Sequence, residues 1–255
     1  MGVIMLNQID IEEIKKISFD AGVLIMKIYE KDFQVEYKDD SSPLTQADTE
    51  SNELICNALE KLYPHIPILS EENKEVAFDD RKSWKYYWCI DPIDGTKEFI
   101  KKNGEFTINI ALIQKDKPVL GVVYAPALGN IYYAKEGYGA YKNSEKLPLK
   151  SNQNPREKLC VVASKSHLST ETQAFIDNLS TKEIEQVSKG SSLKLCMVAE
   201  GEADIYPRLA PTMEWDTAAA DAIVRESGKM TYQFESNEPL VYNKEDLINP
   251  WFVVR

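Results

Sequence analysis

Apolar residues recur every three or four positions over residues 9–29, at Ile11, Ile14, Ile17, Ala21, Leu24, Ile25 and Ile28. That period predicts an amphipathic helix with one face turned to a core. Ser41-Ser42-Pro43 breaks the pattern, and a second helical period runs from about Asp48 through Leu54, Ile55, Ala58, Leu59 and Leu62. Shorter apolar runs follow. Residues 66–69 and 86–90 predict strands that deliver Ser70-Glu71-Glu72 and Asp91 at their ends. Residues 106–113 and 119–124 are β-rich and separated by Gln114-Lys115-Asp116-Lys117-Pro118, a hairpin-like pair. Residues 131–134 and 139–141 extend the same sheet.

The polar stretch 150–158 predicts a boundary between two halves. After it the pattern alternates: strand 159–163, helix 170–179, strand 184–187, helix 193–200, strand 203–206, helix 216–226. Alternation of this kind predicts a layered α/β arrangement. We expect one domain over residues 1–255, with subregions 1–150 and 151–255. No internal repeat or low-complexity tract is present.

Composition narrows the class. The 255 residues are 43% hydrophobic and 28% charged, as in an ordinary globular protein. No apolar run approaches the roughly 20 residues that span a bilayer. Residues 1–7 are apolar but carry no cationic segment or cleavage pattern, and Leu6 stands where a myristoylation signal has Ser or Thr. A cytoplasmic protein is expected. Cys56, Cys89, Cys160 and Cys196 are far apart, each in an apolar stretch, which reads as reduced buried thiols rather than a zinc or redox site. The net charge of −11 disfavours nucleic acid polymers as partners. An anionic substrate would need a site carrying its own positive charge.

Three acidic groups lie where strands end or helices begin: Glu71-Glu72, Asp91-Pro92-Ile93-Asp94-Gly95-Thr96, and Trp215-Asp216-Thr217-Ala218-Ala219. Pro92 restrains the backbone and Gly95 permits a tight turn, so Asp91, the carbonyl of Ile93 and Asp94 can point into one space. Oxygen-rich clusters of this type select Mg²⁺. A helix opening at Thr96 would add the amides after Gly95 as an anion site. Asp216 reads equally well as the N-cap of helix 216–226, and Glu72 as surface charge.

The two longer motifs match the signatures of the inositol monophosphatase superfamily, with Ser70-Glu71-Glu72 upstream at the expected distance. The chain resembles that family over nearly its whole length. One departure is Ala220, where glycine is common. The resemblance implies an αβαβα sandwich with the active site between its halves. It implies two or three Mg²⁺ ions, one held by Glu71, Asp91 and the Ile93 carbonyl, a second by Asp91, Asp94 and Asp216. It also implies a magnesium-activated water whose proton passes through Thr96 to Asp48, with no covalent intermediate. The segment Pro43-Leu44-Thr45-Gln46-Ala47-Asp48 carries that part of the likeness, although Asp48 reads equally as an N-cap.

Within the superfamily the chain is similar to the 3′(2′),5′-bisphosphate nucleotidases, over residues 91–127, 189–208 and 212–219 and at Asn249-Pro250. The implied reaction is hydrolysis of adenosine 3′,5′-bisphosphate to AMP and phosphate, with lithium sensitivity and a place in sulfur assimilation. The implied substrate contacts are Gly95, Thr96, Asp216 and a second anion site built from Ser191, Ser192, Lys194 and Arg208. Ser191 and Ser192 read also as caps of the helix at Leu193. Ser164-Lys165-Ser166-His167 resembles the family segment bordering the nucleotide. An inositol or sugar phosphate phosphatase and a non-catalytic phosphometabolite-binding protein are the competing readings. The likeness also admits a homodimer and a loose association with the inner membrane face, though no basic or amphipathic anchor is evident.

Overall fold

In a computed structural model, the described residues are 6–31, 34–37, 43–74, 76–149, 158–164, 168–179 and 183–255. Residues 150–157 of the expected boundary at 150–158, and the segment 165–167, which holds His167, lie outside them. Chain order is α1 (Ile11–Tyr29), β1 (Val35–Tyr37), β2 (Pro43–Thr45), α2 (Gln46–Leu62), β3 (Ile68–Ser70), α3 (Phe78–Arg81), β4 (Tyr86–Asp94), α4 (Thr96–Ile100), β5 (Thr107–Gln114) and β6 (Lys117–Ala125). Then come β7 (Asn130–Lys135), β8 (Gly139–Lys142), β9 (Glu145–Lys146), β10 (Leu159–Ser164), α5 (Thr170–Asp177), β11 (Ile184–Lys189) and α6 (Leu193–Ala199). The chain ends with β12 (Tyr206–Arg208), α7 (Glu214–Glu226), β13 (Thr231–Gln233) and β14 (Phe252–Val254).

Strand alternation builds the layers. In β4, Trp88 and Ile90 join the core under α1 and α2, whereas Tyr87 and Cys89 join the core under α6 and α7. In β5, Ile108, Ile110 and Leu112 face α1 and α2, while Ala111 and Ile113 face the other way. The sheet is therefore buried on both faces, which is why its strands read as unbroken apolar runs. It has seven strands in the order β3 to β9, with β3 parallel to β4 and the other pairs antiparallel. Strand β10 repeats the device: Cys160 and Val162 pack toward α6 and α7, Val161 and Ala163 toward Ile176 of α5. The sequence of layers is helices, sheet, helices, strands, helix, an α/β sandwich as expected.

Two close approaches fix the central layer. A Cβ at Gly121 of β6 would sit 2.1 Å from the carbonyl oxygen of Ala219 in α7, so only glycine lets that helix lie on the sheet. The methyl of Ala220 is fully buried in the same interface and is accommodated. The β5–β6 hairpin turns through Lys115 at φ 60°. Pro118 sits where the register shifts between Leu112 and Ile113, a bulge that spares the ladder a missing donor.

Several boundaries differ from expectation. Helices α2 and α7 begin two residues earlier than Asp48 and Asp216, at Gln46 and Glu214. The strand expected at 203–206 lies later, at Tyr206–Arg208, with Ile205 bridging to Val161. It pairs with β14, a strand too short to show a period of its own.

Candidate active site

Strand β4 runs on through Asp94 rather than stopping before Asp91. Asp91 pairs with Asn109 and Asp94 with Thr107, so the ladder carries one extra residue between them. That bulge re-aims the chain and contains Pro92, which has no N–H to leave unpaired. Gly95 follows at φ 92° and α4 opens at Thr96. A Cβ at Gly95 would come within 3.3 Å of the Glu105 carbonyl.

Oxygens of Glu71, Asp91 and Asp216 lie within 4.8 Å of one another. Asp91 is only 1% exposed. Burial first, then the charges of Glu71, Asp94 and Asp216, push its carboxyl well above the ordinary range. Burial and then Asp94 and Glu71 do the same to Asp216. Such a cluster is strained as free anions and suits a divalent cation, whose charge would offset both terms. Asp94 is near enough for its charge to act on both carboxyls. Its Oδ2 accepts from Ser192 Oγ at 2.7 Å and from Asn109 Nδ2 at 3.4 Å.

Asp48 and Asp216 are not N-caps. Each stands three residues into its helix and reaches back to the cap amide. Thr45 N donates to Asp48 Oδ2 at 2.8 Å, and Met213 N donates to Asp216 Oδ2 at 2.8 Å. Thr45 Oγ1 also donates to Asp48 Oδ2, leaving Oδ1 to accept from Thr96 Oγ1 at 3.3 Å. Thr96 Oγ1 is equally 3.3 Å from the Ile93 carbonyl. Thr96 and Asp48, distant in sequence, thus meet beside the carboxylates.

Glu71, Asp94, Thr96 and Asp216 line one cleft, together with Gly95, Lys97, Ser191, Lys194, Tyr206 and Arg208. Lys194 is 7% exposed and donates to the Ser191 carbonyl at 2.5 Å. Burial lowers its ammonium pKa to about 8, although Asp94 pulls the other way. Arg208 Nη2 donates to the Pro211 carbonyl at 2.9 Å. The basic pair therefore lies beside the carboxylates, not remote from them. Lys189 turns away and pairs with Glu105 at 3.2 Å.

The two serines separate. Ser191, at φ 47°, lines the cleft, and its Oγ has no hydrogen-bond partner among the described residues. Ser192 is 1% exposed and its hydroxyl is taken up by protein groups. The expectation that Ser192 touches substrate is corrected, because no surface of it is left to do so. Neither serine side chain bonds to the helix it precedes. Asn109, absent from the expected site, is a lone amide inside the apolar run 106–113, a signal in itself.

A model of the inositol monophosphatase family matches residues 6–250. The chain belongs to the inositol monophosphatase family. Members of this family are metal-dependent, in keeping with the acidic cluster. Within it, the 3′(2′),5′-bisphosphate nucleotidase CysQ of Salmonella typhimurium is 43% identical over 246 residues, covering 96% of this chain and 98% of the relative. CysQ of Haemophilus influenzae is 38% identical over 261 residues, 99% of this chain and 94% of that one. The crystal structure of CysQ from Bacteroides thetaiotaomicron has a TM-score of 0.86 at 45% identity, covering 96% of both chains. The inositol monophosphatase of Thermotoga maritima has a TM-score of 0.77 at 28% identity, over 94% of this chain and 89% of that one. No helix among the described residues is long and apolar enough to cross a membrane.

Proposed function

We propose that this chain is a magnesium-dependent 3′(2′),5′-bisphosphate nucleotidase that hydrolyses adenosine 3′,5′-bisphosphate to AMP and phosphate. The observation that carries the reading is the shared cleft. Glu71, Asp94 and Asp216 line it, with Asp91 clustered against Glu71 and Asp216, and Ser191, Lys194 and Arg208 line it too. A substrate with two phosphates meets both sets at once. The full-length similarity to CysQ nucleotidases supports the same substrate class.

Glu71, Asp91, the Ile93 carbonyl, Asp94 and Asp216 would hold two or three Mg²⁺ ions, which when bound supply charge neutralisation and water activation. The residues provide the rest. Thr96 Oγ1 orients the attacking water and passes its proton to Asp48 Oδ1, 3.3 Å away. Asp48 accepts there because its other oxygen is tied to Thr45. The water oxygen bonds to phosphorus, the bond from phosphorus to the ribose oxygen breaks, and that oxygen leaves as the alcohol by taking a proton from a solvent water, while the proton held on Asp48 is returned to solvent. Lys194 and Arg208 hold the second phosphate by charge. The unit acts as one domain in the cytoplasm, in sulfur assimilation or nucleotide recycling, and Li⁺ inhibits it by competing for a magnesium position.

The test is phosphate release from adenosine 3′,5′-bisphosphate and from inositol 1-phosphate, side by side, in Mg²⁺ and in EDTA. Strong EDTA-sensitive preference for the bisphosphate is expected. Replacing Lys194 or Arg208 by Ala should raise KM for the bisphosphate far more than for a nucleoside monophosphate. Preference for inositol phosphate, or equal effects on both nucleotides, would overturn the substrate assignment; no release from either would favour a binding protein.

A further inference from the structure

Ser192 is surrounded by three elements of the site. Its Oγ accepts from Asn109 Nδ2 of β5 at 2.8 Å. It lies 2.7 Å from Asp94 Oδ2 at the end of β4 and 2.7 Å from the Asp216 carbonyl in α7. Ser192 and Asn109 are each 1% exposed. A hydroxyl has one proton and two lone pairs, so Asn109 fills one lone pair and the proton goes to one of the two oxygens. The Asp94 carboxylate is the stronger acceptor, since bonds to ionised groups are about twice as strong as neutral ones. Asn109 Nδ2 adds a longer contact to the same Oδ2 at 3.4 Å. Asp94 is thereby oriented by a pair of buried neutral donors, and the same hydroxyl touches the helix that carries Asp216.

We infer that Ser192, oriented by Asn109, is a positioning residue that sets the metal affinity of the site, not a substrate contact. The inference rests on the proposed metal role of Asp94 and Asp216. Groups that orient ligands from behind typically change metal affinity ten- to a hundredfold when removed. Because Ser192 is buried and does not line the cleft, its loss should leave substrate recognition at saturating metal intact.

The experiment titrates Mn²⁺ into the full-length chain by calorimetry, for wild type, Ser192→Ala and Ser192→Cys, with KM measured at saturating Mn²⁺. Cysteine retains the side-chain volume approximately but is a weak donor, so it decides the matter if the alanine variant does not fold. Both variants should bind Mn²⁺ about tenfold or more weakly, with KM within about twofold of wild type. Wild-type Mn²⁺ affinity in Ser192→Cys, with or without a raised KM, would overturn the positioning role. Absence of Mn²⁺ binding by the wild type would overturn the metal reading beneath it, a result distinguishable from the first.

Discussion

Consider Lys194→Met in metal-free protein. Lys194 is almost fully buried, and its pKa falls from 10.5 to about 8 chiefly through desolvation, against the pull of Asp94. A drop of that size corresponds to about 3 kcal/mol of unfavourable burial of the charged form. Below pH 8 the lysine is charged in both the folded and unfolded chain, so it contributes no slope. Above pH 8 the folded chain releases its proton first, the unfolded chain holds more protons, and stability rises until about pH 10.5. Wild type should therefore gain about 2 kcal/mol on Lys194→Met between pH 7 and pH 9.5. Methionine keeps most of the stem's volume, so packing is largely retained. Buried thiols such as Cys89 and Cys196, whose pKa burial raises, act against stability as pH climbs, but equally in both proteins. Urea unfolding followed by tryptophan fluorescence in EDTA measures the gap. A gap that is flat or shrinks with pH would show that Lys194 is held as a stable ion pair, and the desolvation argument would be wrong.

Two further outcomes follow from the geometry. Asp94→Asn should lower kcat by orders of magnitude while circular dichroism and thermal melting stay near wild type, because the half-buried amide can still meet Ser192; wild-type turnover would refute the metal assignment. Gly121→Ala should destabilise the fold by about 3 kcal/mol or more, since its Cβ would meet the Ala219 carbonyl at 2.1 Å, and a melting temperature within a degree of wild type would contradict that packing.

Much of this was legible in the chain. Strong periodicity located α1, α2 and the β5–β6 hairpin, because each buries a full face or two faces against neighbours. Glu71, Asp91 and Asp216, one from each acidic motif, converge, as the family resemblance implied. The misplacements have physical causes. Asp serves equally at an N-cap and three residues later, so type alone could not place Asp48, although Thr45-Gln46-Ala47-Asp48 does fit the capping-box pattern. Before Asp216 no such pattern exists, as Met213 offers no cap hydroxyl. The adjacent serines look alike in sequence, yet Ser191, at a left-handed φ, lines the cleft with its hydroxyl unpartnered among the described residues, while the Ser192 hydroxyl is held by Asn109, Asp94 and Asp216. Strand β14 pairs with β12 and β13 only in three dimensions.

Asp48 and Asp216 share a further property. Each commits one carboxylate oxygen to a helix start, through Thr45 N and Met213 N, and keeps the other for the site, toward Thr96 Oγ1 in the case of Asp48. The helix itself thus acts as the jig that sets the angle of the working oxygen. Replacing either aspartate with asparagine makes the two duties compete, since an amide has a single oxygen to share between them. At these two positions the fold and the chemistry cannot be mutated independently.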